Sequence, residues 1–178
     1  MAPSAASAAP DSAADSAPAN SAPADSIRRR LALTADDAEL RAIGRLWIRH
    51  SIAEDRRDID GLVATLTPDC AYEILGTDLR WLGHDGARAF YDELFAAFPD
   101  NRFDLTDIVV GAQGVFEAAT LTATHLGRFA GLAATGRQVS LTIGIHFPWD
   151  RELRLFRGER ILVDRGGLLG AAGAEPVR

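Results

Sequence analysis

Residues 85–111 read DGARAFYDELFAAFPDNRFDLTDIVVG, and the spacing of apolar residues changes within this stretch. Asp85 is the expected N-cap of a helix, and Pro99 is expected to end it. From Arg102 onward apolar and polar residues alternate, which is typical of a strand with one buried face. The stretch therefore predicts a helix followed by sheet. The helix is indicated by six residues that recur every three or four positions: Ala87, Phe90, Tyr91, Leu94, Phe95 and Phe98.

The sequence on either side contains further helical and strand patterns. After a hairpin turn at residues 111–114, alternation over residues 115–126 places His125 on the apolar face of a strand. Thr34 is the expected N-cap of an earlier helix, and the apolar face of that helix contains His50. The remaining elements are expected at these positions: a helix at residues 37–53, a helical turn at 58–66, and strands at 70–75, 139–147 and 153–164.

Helices that precede a run of hairpin-linked strands are typical of an α+β fold. We expect the helices to pack on one face of an antiparallel sheet, with a ligand cavity at its open end. One strand offers more apolar surface than a single helix layer needs, which predicts a homodimer through the open face of the sheet. The residues concerned are Val139, Leu141, Ile143, Ile145 and Phe147.

The first 26 residues contain only Ala, Ser, Pro, Asp, Asn and the initial Met. Such a segment cannot bury enough apolar surface to offset its ordering entropy, so residues 1–30 are expected to be a disordered tail. The tail has neither the basic start nor the apolar run of a secretory signal. Residues 31–172 are expected to form one domain. No window is apolar enough to span a membrane, and the single cysteine, Cys70, predicts a reducing compartment, hence a cytoplasmic location.

Composition excludes several classes of function. All 19 basic residues are arginine, which excludes a Schiff-base lysine and a P-loop lysine. The net charge is −6, and no arginine-rich face is evident beyond residues 28–30, so a nucleic-acid partner is not expected. The four histidines lack the paired spacing of metal ligands, so no metal is expected.

A glycine-rich motif follows the strand that contains His125. It reads Thr124-His125-x-Gly127-x-x-x-Gly131-x-x-x-Thr135-Gly136-Arg137. Together with Asp100, Glu117 and the segment 158–160, it resembles the SnoaL-like polyketide cyclase group of the nuclear transport factor 2-like superfamily. The resemblance covers about residues 35–170. It implies a cone in which a curved antiparallel sheet wraps over N-terminal helices. It also implies ester-cyclase chemistry, in which a polyketide ring closes by an intramolecular aldol reaction without metal or cofactor.

The resemblance implies that Asp164 is the catalytic acid/base and that His125 lines the same pocket, with His146 as a further catalytic histidine. A carboxylate among apolar residues can remove a proton next to a carbonyl because desolvation raises its pKa. An imidazole can then hold the developing oxyanion. We expect four further residues to bind the substrate: His50, Trp47, Tyr72 and Phe95.

Alternatives remain open at the level of sequence. Asp164 could be a surface residue paired with a neighbouring arginine. His125 could be a strand-end residue that hydrogen-bonds the loop and has no further role. Glu117 is expected to be a structural partner of an arginine such as Arg137. His50 and Asp55 could instead be the acid–base pair of an isomerase or a dehydratase with this fold. The domain could also bind a small ligand or dimerise without catalysis, because folds are reused in this way.

Overall fold

The structure, a computed structural model, describes residues 22–163, and it describes side chains from Ser26 onward. The chain divides into two compact units, Met1–Leu33 and Thr34–Arg178. The first unit contains helix α1, Ala22–Leu31. Because α1 lies within the segment expected to be disordered, residues 22–30 carry regular structure that the composition did not predict.

The second unit begins with helix α2, Asp37–Asp55. Its N-cap is Asp36, and the Asp36 side chain accepts a hydrogen bond of 2.8 Å from the backbone N–H of Glu39. The prediction of Thr34 as the N-cap is therefore wrong by two residues. An acid at the N-cap, such as Asp36, accepts hydrogen bonds from the free N–H groups at the start of a helix. A glutamate three residues later, such as Glu39, is the usual companion of such a cap. The short helix α3, Ile59–Val63, follows.

Helix α4 spans Gly83–Ala97 and begins two residues before the predicted cap. Its N-cap is Leu82, which makes no side-chain cap hydrogen bond, and Asp85 lies in the first turn instead. An acid in the first turn still interacts favourably with the helix dipole. The predicted apolar face is confirmed: the residues Ala87, Phe90, Tyr91, Leu94 and Phe98 are buried.

Six strands form one curved, unclosed sheet in the order β2-β1-β6-β5-β4-β3. All neighbouring pairs are antiparallel except β1 and β6, which are parallel. The expected α+β class is confirmed, whereas the sheet is mixed because β6 returns to lie beside β1. The strands are β1 Leu66–Ile74, β2 Arg80–Leu82, β3 Arg102–Gly111, β4 Gly114–Thr124, β5 Gln138–Asp150 and β6 Leu155–Val163.

Register shifts bend the sheet at three strand pairs, because a bulge sharpens local twist. Beside one of them, Gly158 has φ 101°, and a Cβ there would lie 2.1 Å from the carbonyl oxygen of Ala71. Only glycine fits this close approach of β6 to β1.

The apolar face of β5 packs inside the chain. Its five inward residues are between 2% and 6% exposed: Val139, Leu141, Ile143, Ile145 and Phe147. The prediction that these residues face a second copy is therefore wrong, because the curved sheet buries them against the chain's own core.

Candidate active site

An apolar cavity of about 70 Å³ lies on the inner face of the sheet. Two carboxylic acids line it, Glu54 from α2 and Glu159 from β6. We call these residues the glutamate pair. No arginine lines the cavity within the part of the chain that the structure describes. The other lining residues are Ile74, Leu79, Phe90, Leu94, Phe98, Phe103, Leu121, Phe129, Ala130, Leu132, Leu141, Ile143, Ile145, Ile161 and Val163.

Glu159 reaches the cavity because side chains alternate along β6, so Glu159, Ile161 and Val163 share the inner face. Glu159 is only 3% exposed. The Tyr91 hydroxyl donates a hydrogen bond of 2.7 Å to Oε1 of Glu159. Nε2 of His50 lies 3.1 Å from the same oxygen. Oε1 of Glu159 thus accepts from a phenol and contacts an imidazole nitrogen, and a buried carboxyl group requires polar contacts of this kind.

The hydrogen bonds of His50 fix which ring nitrogen carries a proton. Nδ1 lies 2.6 Å from the Thr65 hydroxyl, and that hydroxyl donates to the carbonyl oxygen of Leu62 at 2.6 Å. Because the hydroxyl has one hydrogen, it must accept from Nδ1–H. Nε2 therefore carries no hydrogen when the ring is neutral, and it lies 2.9 Å from the Tyr91 hydroxyl, whose one hydrogen is donated to Glu159.

Two tyrosines supply fixed donors behind Glu159. The hydroxyls of Tyr72 and Tyr91 are 3.1 Å apart, and both side chains are fully buried. Burial, together with the negative charge of Glu159, raises the pKa of each phenol well above its usual range. Both tyrosines therefore stay protonated and act as hydrogen-bond donors.

Glu54 and Glu117 are acids in surroundings that favour the neutral form. Burial raises the pKa of Glu54 well above its usual range, and the charges of Glu159 and Glu117 raise it further. Burial, followed by the charge of Glu159, raises the pKa of Glu117 to about 7, against the hydrogen bond from Trp47. Nε1 of Trp47 donates to Glu117 at 2.7 Å. Glu54 can therefore serve as a protonated acid beside the carboxylate of Glu159.

Comparison with known proteins now adds to this geometry. The sequence profile of the family described as SnoaL-like polyketide cyclase matches residues 43–151, which is more than half of the chain. The chain belongs to this family. The matched residues include Glu54 and Glu117 and end before Glu159. A search of curated proteins found no match.

Solved structures share the fold of this SnoaL-like chain. A protein of Jannaschia sp. CCS1 described as a SnoaL-like polyketide cyclase has 24% identity and a TM-score of 0.58, over 66% of this chain and 80% of that one. AclR of Streptomyces galilaeus, described as a hydroxylase, has 22% identity and a TM-score of 0.61, over 75% and 97%. An NTF2-like protein of Burkholderia xenovorans LB400 has 15% identity and a TM-score of 0.62, over 74% and 96%. With TM-scores of 0.58 to 0.62, these structures show that the chain has the nuclear transport factor 2-like fold.

Of the three residues predicted to be catalytic, the structure describes His125 and His146 and does not bring these two together. Asp164 lies outside the described residues. His125 is fully buried on the inner side of the sheet and stacks on Phe98, with ring centroids 5.1 Å apart. Phe98 lines the cavity and His125 does not. His146 follows Ile145 on β5 and pairs with Phe116 and Arg160 on the outer face, so it is not brought to the cavity.

His125 is fixed by the glycine-rich motif that the sequence singled out. Its carbonyl oxygen accepts from the backbone N–H groups of Thr135 and Gly136. Nδ1 lies 3.3 Å from the Thr135 hydroxyl. Nε2 is buried and has no hydrogen-bond partner among residues 22–163. Gly127 follows closely, and a Cβ there would lie 2.8 Å from the carbonyl oxygen of Ala96, so the motif packs tightly against the end of α4.

The four residues predicted to bind substrate form a layer behind the cavity wall. His50 and Tyr72 belong to the hydrogen-bond network around Glu159, and Trp47 donates to Glu117. Phe95 stacks on Tyr91 with ring centroids 5.6 Å apart. None of the four lines the apolar cavity itself. Of the four, His50 contacts an acid that does line the cavity, Glu159, at 3.1 Å.

Sequence reasoning missed Glu54, Tyr91 and Glu159 as site residues. Glu54 lies four residues after His50, on neighbouring turns of one helix face, but it also belongs to the charged run at residues 54–58. Glu159 lies two residues before Ile161, on the same face of β6. The available signal was a charged residue at a position where the alternating pattern predicts an apolar one.

Neither a metal-binding cluster nor a membrane-spanning helix is found among residues 22–163. No group of three or more His, Cys, Asp or Glu side chains between residues 22 and 163 is arranged to hold a metal ion. Over the same residues, every helix is too short or too polar to cross a membrane.

Proposed function

We propose that this protein is an acid–base enzyme that needs no cofactor and acts on a small, largely apolar, polyketide-like carbonyl compound. The reaction proposed is ring closure by intramolecular aldol chemistry. The observation that carries the proposal is the glutamate pair: a carboxylate held by Tyr91 and His50, and a second acid with a raised pKa, on one apolar cavity. A carboxyl group whose surroundings raise its pKa can serve as the acid, and this assigns that role to Glu54.

In the proposed first step, Glu159 removes a proton from the carbon next to the substrate carbonyl. The electron pair of the C–H bond forms the C=C bond of the enol, the π pair of the carbonyl moves to its oxygen, and Glu54 donates a hydrogen bond or its proton to that oxygen. The enol carbon then attacks a second carbonyl of the same substrate and forms a C–C bond. The new alkoxide takes up the proton from Glu159, and Glu54 recovers its own proton as the first carbonyl re-forms.

The residues behind Glu159 hold the base in place. The Tyr91 hydroxyl donates to one carboxylate oxygen, Oε1, and His50 approaches that same oxygen. The network is closed to solvent, because His50, Thr65, Tyr72 and Tyr91 are each fully buried. The second oxygen, Oε2, thus lacks these donors and is the one proposed to accept the substrate proton.

A second assignment of the base keeps the residues indicated by the family resemblance. In that reading Asp164 removes the proton and His125 holds the oxyanion, with His146 in a supporting role. The buried and unpartnered Nε2 of His125 favours it, because a buried polar atom of this kind calls for a ligand or a function. An isomerase or dehydratase that uses His50 with Asp55, or a module that only binds, are the remaining alternatives.

Solvent exchange into a model ketone tests the proposal. Wild-type protein is expected to catalyse deuterium incorporation at C2 of 1-indanone in D₂O, followed by proton NMR. Glu159→Gln keeps the shape of the side chain and removes the base, so the exchange rate should fall about 10²- to 10⁴-fold.

The matched control is Glu73→Gln, because Glu73 lies on β1 and pairs with Arg80 and Arg160 rather than with the cavity. Asp164→Asn discriminates between the two assignments. If Asp164→Asn abolishes exchange while Glu159→Gln leaves it unchanged, the base is Asp164 and the glutamate pair is structural. If wild-type protein binds the ketone without any exchange, the domain binds ligand only.

Association and location are proposed as well. We propose a homodimer through the outer face of the sheet, where Val109, Phe116 and Leu162 are 63%, 41% and 49% exposed. Val109 pairs with Phe116 across β3 and β4, so these two apolar side chains adjoin on this face. A cytoplasmic location is proposed because the buried thiol of Cys70 is free.

A further inference from the structure

A second cavity, which we call the polar compartment, adjoins the apolar one. Its volume is about 200 Å³, and it is lined by Glu54, Asp55, Arg57, Asn101, Arg102 and Phe103. Glu54 and Phe103 line both cavities. A residue that lines two cavities stands between them, so the polar compartment continues the site outward from the glutamate pair.

The polar compartment contains hydrogen-bond donors that the described chain does not use. The side-chain nitrogen of Asn101 is buried and has no partner among residues 22–163. The side chain of Arg102, at the neighbouring position, is exposed and makes no hydrogen bond or ion pair with the described residues. The buried Asn101 amide N–H calls for an acceptor that residues 22–163 do not supply, and the exposed Arg102 guanidinium beside it can bind the same acceptor.

Arg57 occupies a backbone position that favours glycine. Its φ is 55°, and it follows the end of α2. The N–H of Arg57 bonds to the carbonyl oxygen of Glu54, and that of Asp58 to the carbonyl oxygen of Ala53. This pattern is a Schellman motif, in which glycine is the usual residue at the position of Arg57. A strained residue at the rim of a cavity points to a role for its side chain.

The guanidinium of Arg57 lies 5.3 Å from the centre of the Phe95 ring and donates to the carbonyl oxygen of Pro99. The hydrogen bond to Pro99 uses one of the five N–H donors of the arginine side chain, so others remain for a ligand. Two acids lie nearby. Asp55 is exposed on the same rim. Asp100 accepts a hydrogen bond from the Thr124 hydroxyl, which is the largest cause of its lowered pKa, and the charge of Arg57 lowers that pKa further.

We propose that the polar compartment binds a carboxylate at one end of the substrate, through Arg102, Asn101 and Arg57. This inference rests on the proposed function, in which the ring and its reactive carbonyl occupy the apolar cavity. The neutral form of Glu54, between the two cavities, allows an anion to approach. The substrate class is therefore a keto acid: an apolar ring with a ketone at the inner end and a carboxylate at the outer end.

The test compares two probes that differ by one group, 1-indanone and 1-indanone-5-carboxylate. Dissociation constants are measured by isothermal titration at low salt, which reads binding without turnover. Wild-type protein should bind the carboxylate about tenfold more tightly, the gain expected of a charge-assisted hydrogen bond. Arg102→Gln should remove most of that preference and leave the affinity for 1-indanone unchanged.

Arg57→Gly is the second variant, because it deletes the guanidinium and suits the backbone conformation, so it should fold. It should lower the carboxylate preference in the same direction as Arg102→Gln. Arg88→Gln is the control, since Arg88 pairs with Asp60 and lines neither cavity. Equal affinity of wild-type protein for both probes, or an equal loss for both in Arg102→Gln, overturns the inference.

The same titrations separate this inference from the proposed function. If 1-indanone-5-carboxylate binds through Arg102 but neither probe exchanges deuterium, the compartment stands and the catalytic proposal fails. If both probes exchange at equal rates and bind equally, catalysis stands and the carboxylate site is refuted.

Discussion

Replacing Tyr91 by phenylalanine is expected to destabilise the protein through the loss of one oxygen atom. The Tyr91 hydroxyl lies 2.7 Å from Glu159, 2.9 Å from His50 and 3.1 Å from Tyr72, and all four side chains are buried. Phenylalanine preserves the ring packing and leaves the buried Oε1 of Glu159 without its phenol donor. A hydrogen bond to a charged group contributes about 1.5–3 kcal/mol, so the free energy of unfolding should fall by about 2–3 kcal/mol.

Urea denaturation followed by circular dichroism measures this difference, with the midpoint and the slope fitted separately. Tyr72→Phe is the matched control, because it removes a hydroxyl for which the one described bond, of 3.1 Å, is to Tyr91. It should cost about 1 kcal/mol, the contribution of a neutral hydrogen bond. If Tyr91→Phe costs no more than Tyr72→Phe, Glu159 does not depend on the phenol and the proposed network is refuted.

Two further predictions concern charge and association. Glu117 has a folded pKa of about 7, above the usual 4.5, so the folded state holds a proton that the unfolded state has released. Stability should therefore fall by about 3 kcal/mol as the pH rises from 4.5 to 7 and beyond, and Glu117→Gln should be more stable than wild type at pH 8 in thermal melts. Equal melting temperatures at pH 8 would refute it. For association, Phe116→Asp should convert a dimer to a monomer in light scattering at micromolar concentration, and a monomeric wild type would rule out the proposed interface.

Much of the fold could be predicted from the sequence because each element has a clear period. The change at Arg102 from helical spacing to alternation marks the start of β3. The alternation after the hairpin turn placed His125 on the inner face, and it is fully buried there. These are local signals, which the chain carries whatever its tertiary structure.

The parallel pairing of β1 with β6 could not be predicted in this way. It joins Leu66 to Phe156 and Ile74 to Ile161, residues far apart in the chain, and no local pattern encodes that register. The N-cap was misplaced at Thr34 because Thr34 and Asp36 carry equivalent capping groups, and the helix start decides between them.

The candidate site was harder to predict than the fold. A glutamate that lines a cavity and an exposed one look alike in sequence, so nothing in the sequence separates Glu54 from the charged run at residues 54–58. Its raised pKa depends on Glu159 and Glu117, which come from distant strands. The roles of Asp164, His125 and His146 stay predictions.

The central claim is that Glu54 and Glu159 act as one acid–base unit. The most direct measurement is the rate of deuterium exchange into 1-indanone for wild type, Glu54→Gln, Glu159→Gln and the double variant. Residues that act as a unit have strongly non-additive effects on rate. The account predicts that the double variant exchanges about as slowly as the slower single variant. Rates that fall by the product of the two single effects, or that match wild type in all variants, would contradict it.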